Sequence, residues 1–169
     1  MIYKSSKPAL LGVLTAVCMV LSFLEHLVSL DFIAPGIKLG LANTVALFLI
    51  AKGEIKGGIA VNFSRIFLSF LLFGTPYSLC FSLFGGVLSI IVTVFFCRFK
   101  QLSLIGVGIL GGAAHNIGQV IFACIFMQNS AAFYLLPVLV FAGAVCGAFT
   151  GFIANLLDKK VILQCSFDK

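Results

Sequence analysis

The chain has 169 residues, of which 62% are hydrophobic and only 9% charged, with 19 Phe, no Trp and a mean hydropathy of +1.22. A soluble domain of this length cannot hide so much apolar surface, so the composition excludes a water-soluble fold and places the chain in a membrane. The formal charge of +6 is then explained by sidedness and by anionic lipid head groups, and no nucleic-acid partner is needed.

A bilayer core of roughly 30 Å takes about 20 apolar residues per helix, which leaves room for several crossings and no separate soluble domain. Apolar runs between polar or Gly/Pro breaks predict helices over about 8–30, 39–51, 55–73, 77–97, 102–127 and 133–157, followed by a short cytoplasmic tail at 158–169. The first run is too long for a signal peptide, shows no small-residue cleavage site, and is interrupted at its far end by Glu25 and His26. The second is shorter than a full span, and "DFIAPGIKLG" before it reads as an external loop or a re-entrant turn.

With the N-terminus inside, Lys4, Lys7, Lys52, Lys56, Arg98, Lys100, Lys159, Lys160 and Lys169 all fall on the cytoplasmic side, and Lys38 is the only basic loop residue left outside. That bias supports an all-α, integral membrane, six-transmembrane-helix bundle with both termini cytoplasmic, in a prokaryotic plasma membrane. The cysteines Cys18, Cys80, Cys97, Cys124, Cys146 and Cys165 form no CxxC pair and sit mostly in apolar runs, as small hydrophobes do, so no metal site is expected.

Small residues recur every fourth position on three of the helices. Gly143, Gly147 and Gly151 do so on the last, Gly108 and Gly112 on the fifth, and Ala9, Gly12 and Ala16 on the first. Such stripes let helix backbones approach closely in lipid. For the last two helices the expectation is packing within the chain. For the first, a partner protein is a serious rival.

Polar residues inside the apolar runs are the informative ones, because hydrocarbon tolerates them only when they face protein or water. Arg65 lies ten residues into the third helix, about 15 Å deep at 1.5 Å per residue, too deep to reach a head group easily. His115 and Gln119 are one turn apart on the fifth helix with Asn116 beside them, about 20 Å from its start by the same rise. Glu25, His26 and Ser22 lie near the outer end of the first helix, and Asn43 lies near the outer end of the second. Together Arg65, His115, Asn116, Gln119, Asn43, Glu25 and His26 suggest a wet, substrate-binding cavity in the outer half of the membrane. Asn62, Asn155 and Asn43 equally suit interhelical hydrogen bonds, and Glu25 with Arg65 suits a buried pair that orients helices.

"PGIKLGLANTVALFL", "NFSRIFLSFLLFG", "SLFGGVLSI" and "GGAAHNIGQV" together resemble the membrane family labelled heptaprenyl diphosphate synthase component I, also called the Gx transporter family. That family is similar to the substrate-binding S components of energy-coupling factor transporters. The resemblance implies a six-helix subunit that captures a small amphiphilic, possibly anionic molecule in an outward-facing pocket. It implies a transmembrane coupling subunit docked on Ala9, Gly12 and Ala16, and ATPase subunits that use ATP on its behalf, with no cofactor in this chain.

The enzyme label fits the residues poorly. Prenyl elongation holds magnesium with clustered aspartates, whereas Glu25, Asp31, Glu54, Asp158 and Asp168 are scattered, and no GxxxxGK[ST] loop is present. The chain is therefore expected not to be an enzyme. The alternative to a transport subunit is a non-catalytic membrane partner or scaffold of a prenyl diphosphate synthase. A proton-coupled carrier using Glu25, His26 and His115 is a third reading, disfavoured by the absence of evident inverted repeats.

The charge bias generates a test of topology. Membrane-impermeant thiol labelling from outside is expected to reach Cys introduced at Asp31 or Asn129, and to reach Cys at Lys52 or Lys100 only after permeabilisation. External labelling at Lys52 would overturn the expected sidedness.

Overall fold

The computed structural model describes residues 7–27, 41–99, 101–127 and 130–160. In chain order they form α1 (Lys7–Leu27), a 3-10 turn (Leu41–Asn43) leading directly into α2 (Thr44–Ala51), α3 (Ile55–Phe73), α4 (Pro76–Phe96), α5 (Leu104–Met127), a second 3-10 segment (Ser130–Leu135) and α6 (Leu136–Lys160). No strand occurs among the described residues. Five helices are long and apolar enough to cross a membrane, and a shorter apolar helix covers Leu41–Ala51. The protein is thus an all-α, multi-pass membrane protein.

The helix ends follow local chemistry. Pro76 takes the first turn of α4, where its missing N–H costs nothing, and Thr75 caps that helix by accepting a bond from Ser78 N at 3.2 Å. Ser103 receives Gly106 N at 3.1 Å at the start of α5, so α5 begins at Leu104, slightly later than the apolar run implies. Gly53, at φ 86°, makes the turn between α2 and α3 in a conformation that side chains resist. The expected end of the first helix at residue 30, the loop "DFIAPGIKLG" up to Gly40, and the tail from residue 161 lie outside the described residues. Asp158 to Lys160, expected in the tail, form the last turn of α6.

α2 differs from its neighbours. Its eight residues rise about 12 Å, well short of a bilayer core. Every residue from Thr44 to Ile50 is buried, as expected of a helix apolar on all faces that is enclosed by protein. Its far end is fastened to α6, where Lys52 Nζ lies 2.5 Å from Asp158 Oδ1. The ends of α2 and α6 therefore share one face of the molecule, and α3 to α6 alternate in direction between them. α1 runs parallel to α3: Leu11 lies against Gly57 near the start of both, and Phe23 and His26 meet Phe73 near their ends. α2 returns from the level of Glu25, whose Oε1 accepts Leu41 N at 2.9 Å, to the Lys52 face. The chain thus runs back and forth six times, with the second pass made by a half-length helix.

The tightest contact is between α5 and α6. A Cβ on Gly112 would collide with the carbonyl oxygen of Gly143 and stand 2.9 Å from Gly147 Cα. A Cβ on Gly108 would meet Gly147 O and come within 2.9 Å of Gly151 Cα. The two glycine stripes predicted from spacing are therefore one interface, closed backbone to backbone. In lipid, where apolar surface gains nothing by leaving the solvent, this close van der Waals approach holds helices together. α1 shows the opposite behaviour. Its Ala9, Gly12 and Ala16 are exposed, and a Cβ on Gly12 would have nothing within 4 Å.

These two stripes should respond differently to substitution. Gly112→Val is expected to lower the melting temperature in detergent by an overpacking cost of about 1–3 kcal/mol or more. Gly12→Ala, which adds a methyl to open space, is expected to leave it within experimental error. Equal destabilisation by both would contradict the assignment of the interfaces.

Candidate functional site

α3 turns Asn62, Arg65 and Ser69 inward. Arg65 is about 15 Å from the start of α3, and His115 is about 16 Å from the start of α5 at Leu104, counting 1.5 Å per residue. Both helices start at the Lys52 face, so the two side chains lie at one level near the bilayer centre, lower for His115 than a start at Leu102 implies. Arg65 is 2% exposed, His115 1% and Gln119 0%.

Three helices and the 3-10 turn before α2 contribute to one chain of hydrogen bonds at this level. Arg65 Nη1 donates to Ser22 Oγ of α1 at 3.4 Å. Its Nη2 donates to Asn62 Oδ1 on its own helix at 2.9 Å and to Asn43 Oδ1, just before α2, at 3.1 Å. Asn43 Nδ2 stands 3.1 Å from His115 Nδ1, and Gln119 Nε2 stands 3.0 Å from His115 Nε2. Glu25 lies within electrostatic reach of the guanidinium.

Guanidinium donates only, and this gives the chain a direction. Arg65 requires oxygen from Asn43, so Asn43 must turn its N–H₂ to His115. His115 Nδ1 then has to accept, which places the ring proton on Nε2 and makes the ring neutral. Two nitrogens that both carry hydrogen cannot bond, so the Gln119 amide, whose two ends have the same shape, is assigned turned over, with its oxygen accepting that proton. One cation thus orders three polar side chains in series, Asn43, His115 and Gln119.

Glycine makes the space for them. A Cβ on Gly85 of α4 would stand 2.9 Å from His115 Cε1 and 3.0 Å from Nδ1, and one on Gly86 would stand 2.9 Å from Asn62 Nδ2. The adjacent pair in "SLFGGVLSI" therefore seats the imidazole on one side and the Asn62 amide on the other. Asn116 faces away from the chain, toward α6, and donates from Nδ2 to Leu139 O at 2.6 Å.

The structure brings together Arg65, Asn43, His115 and Gln119 and sets Glu25 beside them. It does not bring His26 there. His26 is on the exposed side of α1, stacked on Phe73 with ring centroids 5.3 Å apart. Adjacent helix positions differ by about 100°, so Glu25 and His26 cannot both face inward. Ser22 and Asn62, which the sequence marked as polar without assigning them to the cavity, belong to the site, as do Gly85 and Gly86, which it did not single out. For Asn62 the signal was its position three residues before Arg65, one turn away on the same face.

The cluster is closely packed. The cavity beside it has a volume of about 20 Å³ and is lined by Asn43, Ser89, Thr93, Gly111 and Thr150 among others. That is room for water, whereas small-molecule pockets span roughly 300–1,000 Å³. The outward-facing pocket expected from the sequence is not open at this level among the described residues. Four buried atoms have no hydrogen-bond partner there: Arg65 Nε, Asn62 Nδ2, Ser82 Oγ and Asn116 Oδ1. A much larger groove, about 660 Å³, runs along α1 and α3 on the outside of the bundle, lined by Leu11, Gly12, Ala16, Met19, Ser64 and Leu68 among others.

Residues 14–157 match the family of heptaprenyl diphosphate synthase component I. The chain belongs to that family. No curated protein and no solved structure matches it. The matched region takes in the whole polar chain, from Ser22 to Gln119. Among the described residues, no group of three or more His, Cys, Asp or Glu is gathered to hold a metal ion.

Asn43 and Gln119 are linked through His115, so their effects should not add. In a double-mutant cycle of Asn43→Ala and Gln119→Ala, melting in detergent is expected to give a coupling of about 0.5–3 kcal/mol. Additive effects would show that the chain does not act as a unit.

Proposed function

We propose that this protein is a substrate-binding membrane subunit, similar to the S component of an energy-coupling factor transporter. In this reading it takes up a small amphiphilic, possibly anionic molecule from outside. The observation that carries the reading is the Arg65–Asn43–His115–Gln119 chain at mid-bilayer. Ionisable groups at that depth are costly and rare, and by default they mark function. Helix packing already has the glycine contact of α5 and α6, which makes an arginine, an imidazole and two amides an expensive way to hold helices.

The unpartnered Arg65 Nε and Asn62 Nδ2 are both donors, which suits a ligand rich in acceptors such as a carboxylate or phosphate. The closed cluster is the resting arrangement, and capture requires the groups to part. The exposed Ala9, Gly12 and Ala16, with the groove beside them, suit docking of a transmembrane coupling subunit. ATPase subunits would supply the energy, and the chain itself would have no catalytic role. The even number of passes suits both termini in the cytoplasm of a prokaryotic cell, inside the plasma membrane.

The narrowness of the cavity favours a second reading, a non-catalytic membrane partner of a prenyl diphosphate synthase. Native mass spectrometry of the gently extracted protein separates the two. A bound small molecule that is lost in Arg65→Gln, with coupling subunits that are lost in Gly12→Leu, is expected for the transport subunit. Because an unsatisfied partner in a dry site costs about 1–3 kcal/mol, affinity should fall by roughly tenfold or more in Arg65→Gln. A protein that carries no small molecule and co-purifies with a soluble synthase would establish the scaffold.

A further inference from the structure

The direction of the hydrogen-bond chain constrains what an anion can do on arrival. Among the described residues, Arg65 already has a countercharge in Glu25, which lies within electrostatic reach. An anionic ligand therefore adds an uncompensated negative charge near the bilayer centre, where such charge is costly. It also competes with Asn43 Oδ1 for Arg65 Nη2, now 3.1 Å away. Once displaced, the Asn43 amide has somewhere to go, since the 20 Å³ cavity opens at Asn43.

A rotated Asn43 can turn its oxygen to His115 Nδ1. That nitrogen is then no longer required to accept and can carry a proton, while Nε2–H stays on Gln119. We propose that His115 takes up one proton when an acidic ligand binds at Arg65, so that the site loads an anion and a proton together and its net charge is unchanged. This inference rests on the transport-subunit reading and deepens it.

The balance is simple. The ligand oxygen takes the Nη2–H of Arg65 from Asn43, Asn43 gives its oxygen to His115, and the proton on Nδ1 comes from water outside. Other titratable and polar groups surround the cluster. α3 presents Arg65, which stays charged, and α1 presents Glu25 and Cys18, with Cys18 Sγ held on Ala42 O at 3.6 Å. α6 presents Cys146, within electrostatic reach of Glu25. α4 presents Ser82 and Gly85, and the start of α2 presents Asn43 and Thr44. Neither segment presents an ionisable group there.

The test uses the full chain in maltoside micelles, with decanoate and decyl sulfate as monoanionic probes and decanol as the neutral control. Calorimetry in two buffers of different ionisation enthalpy reads protons taken up per ligand, and nitrogen-15 spectra of labelled histidine read the ring directly. Two histidines are present, and His26→Gln assigns the signals. The free protein is expected to show a neutral His115 protonated on Nε2. The occupied protein is expected to show an imidazolium and an uptake of about one proton with the anions but none with decanol.

Affinity for the anions should fall about tenfold per pH unit over the window in which the free ring is neutral and the occupied ring charged, since one proton is linked to binding. His115→Gln, which cannot take up a proton, should flatten that dependence. Anion binding with no proton uptake, or with a ring that stays neutral, overturns the inference and leaves the transport reading standing. Failure of both anions to bind at any pH overturns both.

Discussion

A guanidinium that donates in every direction and is buried at the centre of a membrane-spanning bundle sets the terms for the rest of the structure. Arg65 cannot reach a lipid head group from its depth, so its N–H bonds must end on oxygens within the protein. Ser22, Asn62 and Asn43 supply them, which draws α1, α3 and the start of α2 together at one point. The requirement is then passed along, because Asn43 faces His115 with its nitrogen and His115 must answer with a lone pair. Polar networks in a low-dielectric interior are stable only when each member is satisfied in turn. This chain has a single source of direction and leaves two donors over, Arg65 Nε and Asn62 Nδ2.

The network also dictates where glycine is needed. An imidazole and an amide at the centre of a packed bundle take space from the opposing helix, and Gly85 and Gly86 give it up. The same economy at α5 and α6 serves adhesion, with Gly108, Gly112, Gly143 and Gly147 putting backbone on backbone. One residue type thus does two unlike jobs on neighbouring helices: accommodation of polar side chains on α4 and cohesion of α5 with α6.

Much of this was legible from the residues. Apolar runs of bilayer length located the five long helices, and four-residue glycine spacing marked the α5–α6 contact, because helical periodicity translates directly into a shared face. Depth counting placed Arg65 and His115 near each other, since rise per residue is nearly constant. Other features depend on tertiary geometry. The direction in which Glu25 and His26 divide around α1 is set by the packing of α1 on α3. Asn116 turns to α6 because the Leu139 carbonyl is there, a partner 23 positions away. The role of Gly85 and Gly86 was hidden because an adjacent pair has no helical period. The compactness of the cluster was hidden too, because a list of polar residues at one depth describes a cavity and a filled network equally well.

The short second helix has a mechanical consequence. At its start, Leu41 is tied to Glu25 and Asn43 to Arg65 and His115; just past its end, Lys52 is tied to Asp158 at the surface. An uninterrupted helix of eight residues has no hinge within it, and its sides are enclosed from Thr44 to Ile50. It therefore behaves as a push-rod: a shift of its buried tip is delivered to the Lys52 face as motion of the whole rod. The contact it meets there is a half-exposed ion pair, which costs little to break and remake. The buried polar cluster and the Lys52–Asp158 pair are thus joined by one short, hinge-free element.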